Sequence, residues 1–217
     1  MSIKTELESL LKTTSGEREI HAFLKKNPRL VWGTFCNCGG HTDAIVSEFR
    51  FRDKYRSDFV VMQSYSGAWE VHFVELEPVD VELFTKKDKP RQRFQGAIHQ
   101  LEDWKRFSIN ESPALRACLA DAIMNDDILF PEDNTNHEPS NYTSNNLRDP
   151  ATVIWFNFHI VIGRRETLSV AEQQLKSSYQ NLSGVKVHTY DRLLQVAKTF
   201  ETGKHLDITK HEKSSHI

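Results

Sequence analysis

The stretch TVIWFNFHIVIG, residues 152–163, constrains the fold more than any other part of the chain. It is almost continuously apolar, rich in β-branched and aromatic side chains, and closed by Gly163. A bilayer crossing needs roughly 18 apolar residues or more, so this run is too short to span a membrane. Its lack of apolar–polar alternation suits a strand covered on both faces. Strands of that kind lie inside parallel sheets, where helical crossovers cover the two sides. Residues 152–162 are therefore expected to form an interior strand of an α/β sheet.

The rest of the chain supplies the other layers. AIVSEFRF (44–51), YRSDFVVM (55–62) and AWEVHFVEL (68–76) alternate as strands. The last two are joined across Ser64, Tyr65, Ser66 and Gly67, so 55–76 reads as a hairpin. Helical spacing marks 3–12 and 17–26, with Asn27-Pro28 ending the second helix. A further helix carries Phe94, Ala97, Ile98, Leu101 and Trp104 as one stripe. A helix at 168–180, a short strand at 185–190 and a helix opening at Asp191 follow. The expected fold class is α/β: a mixed β-sheet flanked by helices on both faces, with an α-βββ-α-β core and a C-terminal α-β-α extension.

At 217 residues the chain suits one domain, taken as 1–200, with an insertion at 108–150 and a polar tail at 201–217. Within the insertion, 114–125 has helical character, while the Asn- and Pro-rich 131–150 reads as a loop. The N-terminal segment is amphipathic and carries acids, unlike a secretory signal or transit peptide. Three cysteines suit a reducing compartment, and a cytoplasmic location with no membrane association is expected. Cys36, Cys38 and His41 invite a zinc reading, but no second ligand pair stands at suitable spacing, and a turn with free thiols is the plainer account. The net charge of -2 gives no global attraction to nucleic acid, so any polyanion has to meet a local patch.

Trp69, Val71 and Phe73 occupy one face of their strand, and the same parity carries on to Glu75 and Glu77. Across the hairpin, antiparallel pairing brings Asp58 to within a couple of residues of Glu75. Three convergent carboxylates repel one another unless a cation lies between them, and oxygen-only ligation suits Mg²⁺ or Mn²⁺. Solvated acids at a strand end before Pro78 would give the same pattern. Lys86, Lys87, Lys89, Arg91 and Arg93 lead into the Phe94–Trp104 helix, a basic stripe able to neutralise phosphates, with Asp88, Glu102 and Asp103 interspersed.

YRSDFVV, FVELE before Pro78, LFTK, the helix motif A-I-x-Q-L-x-D-W-x-R-F, VIGRR (161–165) and VHTYDRLL (187–194) together resemble the nuclease domain of the Shedu anti-phage defence family. That family lies within the PD-(D/E)XK superfamily of restriction-endonuclease-like folds. The resemblance implies a metal-dependent DNA endonuclease of a prokaryotic defence system, using Mg²⁺ or Mn²⁺ and acting on phage or plasmid DNA, with a homo-oligomer as a further expectation. It implies metal binding by Asp58 and Glu75, with Gln100 as an active-site amide and Glu19 as a site-edge acid. Glu77 stands where the superfamily most often has Lys, and it is taken here as a catalytic residue and third metal ligand. An alternative follows from that departure: an inactive nuclease-fold module that binds nucleic acid or a partner protein.

Overall fold

The computed structural model describes residues 2–14, 16–36, 40–125, 127–131 and 139–202. Cys38 of the zinc reading and residues 203–217 of the polar tail lie outside them. Five strands form one mixed sheet in the order β1-β2-β3-β4-β5. They are β1 (Thr42–Phe51), β2 (Tyr55–Tyr65), β3 (Ala68–Leu76), β4 (Val153–Val161) and β5 (Lys186–His188). The first three run antiparallel, and β4 and β5 join parallel. Eight α-helices lie among the described residues: α1 (Ile3–Thr13), α2 (Arg18–Lys26), α3 (Pro28–Phe35), α4 (Gln92–Asn110), α5 (Ser112–Ala122), α6 (Asn141–Arg148), α7 (Val170–Ser183) and α8 (Asp191–Thr202). The expected mixed α/β architecture is what the chain adopts.

The sheet separates two cores. On one face Val60, Met62, Trp69, Val71 and Phe73 pack with Phe94, Ile98, Leu101 and Trp104 of α4. On the other, Phe59, Val61, Val74 and Leu76 pack with Leu7, Ile20, Leu24, Leu30 and Val196 of α1, α2, α3 and α8. Each such side chain contributes roughly 1.5–3 kcal/mol of burial, so the two layers hold the sheet rigidly between them. The β2–β3 hairpin closes in two residues, with Tyr65 opposite Ala68 and Gly67 at φ +81°, a backbone region that glycine enters without steric cost.

Three expectations change. Pro28 ends α2 but also opens α3, because a proline at the first helical position lacks only an N–H that would have no partner there. The second half of the segment read as a loop, 131–150, contains α6. Its N-terminus carries a reciprocal capping box between Ser140 and Thr143, and Asn146 accepts a 2.8 Å hydrogen bond from the Trp69 indole. Finally, β4 lies between β3 and β5, but it is covered on both faces only toward its end. β5 runs beside His159, Ile160 and Val161 alone, and Val153 and Trp155 remain 49% and 54% exposed.

One polar row sits inside the second layer. His72 Nδ1 lies 2.9 Å from His159 Nε2, and His159 Nδ1 lies 3.0 Å from His188 Nε2, so three neighbouring strands are linked ring to ring. Phe35 at the end of α3 packs against all three rings. Burial pulls the His72 and His188 imidazoles down to about 3, and His159 also well below its ordinary range, so the row is neutral at physiological pH.

Candidate active site

The register of the hairpin creates the site. Phe59 pairs with Val74, so the next rung sets Asp58 across from Glu75. The Asp58 carboxylate reaches over the gap and accepts a 2.7 Å hydrogen bond from the Leu76 N–H. Glu75 projects toward α4, where Gln100 Nε2 donates to its Oε1 at 2.8 Å. Asp58 and Glu75 thus lie on the face of the sheet that α4 covers, close enough for the charge of one to act on the other. Behind them, His21 of α2 stacks on Phe59 at 4.7 Å, and its Nε2 sits 3.3 Å from the Asp58 carbonyl.

Glu77 follows by the same parity but is engaged differently. Its N–H donates to Val161 O at 2.9 Å and its carbonyl accepts from the Tyr190 hydroxyl at 2.7 Å, which fixes the backbone on both sides. The side chain is buried, and its carboxylate accepts from Arg93 Nε. Arg93 Nη2 also lies 3.6 Å from Glu17 Oε1. Arg93 is therefore held at the acids.

The electrostatics follow from burial. Desolvation, then the charge of Asp58, push the Glu75 carboxyl up to about 9, against the opposing hydrogen bond from Gln100. Asp58 is raised by desolvation too, partly offset by the Leu76 N–H. Glu77 is raised by desolvation and restrained by Arg93. Two facing carboxylates that resist ionising together are a site in which a divalent cation would favour the doubly ionised form.

Of the residues expected at the site, the structure brings together Asp58, Glu75, Glu77, Gln100 and Arg93. Among the described residues, no three His, Cys, Asp or Glu side chains are arranged to hold one ion together, and Glu77 faces Arg93. Glu19 is exposed and accepts a hydrogen bond from Thr14. The acid at the site's edge is Glu17, whose charge acts on Asp58 and Glu77. A signal for it was present: Glu17 precedes the buried Ile20 and Leu24 by three and seven residues, on the stripe that Glu19 leaves. A similar signal existed for Arg93, two helical turns before Gln100 on the same face of α4.

The remaining cations divide. Lys86, Lys87 and Lys89 are exposed on a tight turn closed by hydrogen bonds between Thr85 and Lys89, in which Asp88 takes φ +59°. Arg91 is committed to Glu82 and the Phe84 carbonyl. Past the sheet, Gly163 at φ +62° packs against the Val81 carbonyl and donates to Pro78 O at 3.1 Å. Arg164 pairs with Asp191 at 3.1 Å. The Gly163 contact braces the segment that carries Glu77.

The five-stranded mixed sheet with its flanking helices is an α/β fold of the nuclease-like kind. The family model described as Shedu protein SduA, C-terminal, matches residues 14–194, and the chain belongs to this family. Family membership associates it with anti-phage defence. No curated protein matches the chain. No helix among the described residues is long and apolar enough to cross a membrane.

Proposed function

We propose that this chain is a metal-dependent DNA endonuclease of anti-phage defence, hydrolysing backbone phosphodiesters by in-line attack of water. The observation that carries this reading is the Asp58–Glu75 pair: two carboxylates from adjacent strands on one face of the sheet, with Glu75 pushed up to about 9 and held by Gln100. Such a pair is costly for a stable scaffold and suited to a cation. Two carboxylate ligands fit Mg²⁺ or Mn²⁺, which commonly take one or two from the protein and fill the other positions with water and phosphate oxygens. When bound, the ion would supply a water of lowered pKa and polarise a phosphoryl oxygen. The chain's own contribution is to fix that pair, with Gln100 orienting Glu75 and the Leu76 N–H holding Asp58.

DNA as the substrate rests on Lys86, Lys87 and Lys89, three exposed cations on the turn that leads into α4. The free thiols of Cys36 and Cys118 are compatible with the reducing cytoplasm in which a defence nuclease would work. The test is incubation of purified protein with supercoiled plasmid in Mg²⁺, in Mn²⁺ and in chelator, beside Glu75→Gln. Nicking that needs the ion and is lost in the variant is expected. Equal nicking by the two proteins would mark a contaminant and end the proposal.

A further inference from the structure

We infer that Arg93 is the residue that grips the scissile phosphate, and that Glu77 and Glu17 are its positioning residues, so that Glu77 is not a metal ligand. The inference rests on the nuclease reading above.

Burying the Glu77 carboxylate carries a cost. Its side chain is 7% exposed, and a buried carboxylate needs a partner. Arg93 supplies one from the first turn of α4, and its own side chain remains 53% exposed. The pair is thus asymmetric: a buried acid anchors one edge of a guanidinium whose other edge looks outward. Glu17, 39% exposed, reaches the same group from the start of α2 at 3.6 Å. Two acids from different parts of the fold therefore fix the plane of one cation. A guanidinium carries five donors in a rigid fork, and Nε with one Nη suffices for these acids. The remaining N–H groups have the geometry for phosphate oxygens.

Position strengthens the case. Glu77 lies two residues beyond Glu75, and Arg93 lies two helical turns before Gln100, which holds Glu75. The guanidinium is thereby set beside the metal-competent carboxylates on the same helix face. The acids Glu17, Asp58, Glu75 and Glu77 together repel a phosphodiester. Arg93 is the cation hydrogen-bonded within that acid group, so it both offsets the repulsion and meets the charge that grows on the phosphoryl oxygens during attack. Glu77 acting as a metal ligand would share its carboxylate between the ion and Arg93, setting a guanidinium directly beside a divalent cation, a repulsive arrangement.

The experiment measures Mn²⁺ affinity by calorimetry and single-turnover plasmid cleavage for wild type, Arg93→Ala, Arg93→Lys, Glu77→Gln, Glu17→Gln and Asp58→Asn, with circular dichroism to confirm folding. Arg93→Ala should lower the cleavage rate by about 10²–10³-fold. Arg93→Lys should recover part of the loss, because it keeps the charge without the fork. Glu77→Gln and Glu17→Gln should slow cleavage while keeping wild-type Mn²⁺ affinity, whereas Asp58→Asn should lose that affinity. Full activity in Arg93→Ala overturns the role assigned to Arg93. Loss of Mn²⁺ binding in Glu77→Gln to the extent seen in Asp58→Asn makes Glu77 a ligand and overturns the inference. A wild type that binds Mn²⁺ but cuts nothing sinks the nuclease reading and Arg93's phosphate role together, and the Mn²⁺ affinities then judge Glu77 alone.

Discussion

Replacing Glu75 by Gln should stabilise the ion-free protein while abolishing cleavage. In the folded chain the Glu75 carboxyl is pushed up to about 9, against an ordinary 4.5. A carboxyl raised by folding contributes stability that is fully present below pH 4.5 and lost progressively as pH rises toward 9. At pH 7 the loss has run over about two and a half pH units, at about 1.4 kcal/mol each, which sets an upper bound of roughly 3.5 kcal/mol. Because Asp58 shares the interaction, a net gain of about 1–2 kcal/mol on substitution is the reasonable expectation. Gln keeps the shape of the protonated acid and has nothing to ionise. For a chain of this size that gain corresponds to a midpoint rise of roughly 2–8 °C. Differential scanning calorimetry in chelator at pH 8, 7 and 5 would read it. The advantage of Glu75→Gln should shrink as pH falls toward 4.5. Millimolar Mn²⁺ should reverse the order, since only the wild type gains binding free energy from the ion. A variant less stable than wild type at pH 8, or a difference independent of pH, would refute the reasoning.

Two further outcomes follow from other parts of the fold. The imidazoles of His72, His159 and His188 are pulled down by burial, so their contribution is fully present above pH 6.5 and lost as pH falls toward about 3. In an Asp58→Asn, Glu75→Gln, Glu77→Gln background, where the raised carboxyls that oppose this trend are absent, the urea midpoint should drop between pH 6.5 and 5, and an unchanged midpoint would show that the histidines are not buried as a neutral row. Changing Lys86, Lys87 and Lys89 together to Ala should weaken duplex binding alike for unrelated sequences and lower the slope of log K against log salt by about 2–3, measured by fluorescence anisotropy in chelator. An unaltered slope would remove the turn from the DNA surface.

What was legible in the sequence is what depends on period and register. The two-residue repeat of β3 assigned Glu75 and Glu77 to one face, and the hairpin brought Asp58 opposite, because a sheet repeats every second residue and a short turn leaves little freedom of register. Gln100 came from the family resemblance. The engagement of Glu77 by Arg93 was not legible. It depends on where α4 starts relative to the end of β3, which the intervening 77–91 segment sets through Gly163, Pro78 and Tyr190. Nor could β5's three residues be foreseen from the apolar run of β4. A long apolar strand implies cover, but not the length of the neighbour that supplies it.

The site also concentrates conformational cost. In β1, the rungs Ser47 to Phe59 and Phe49 to Ser57 skip Glu48, whose place in the register falls opposite Asp58. Glu48 takes φ +53°, a left-handed backbone that costs a non-glycine residue about 1–2 kcal/mol, and pairs with Arg56 at 3.1 Å. Arg56 in turn acts on both Asp58 and Glu75. The same stretch of the sheet therefore holds a strained backbone, a carboxyl kept from ionising and a second carboxyl committed to a backbone N–H. The strained backbone and the carboxyl kept from ionising do not stabilise the ion-free fold on their own account. The carboxyl pair eases if positive charge enters between them: the acids ionise, and their repulsion becomes ligation. Strain that one kind of ligand would relieve points to function, whereas strain scattered through a fold would carry no such direction.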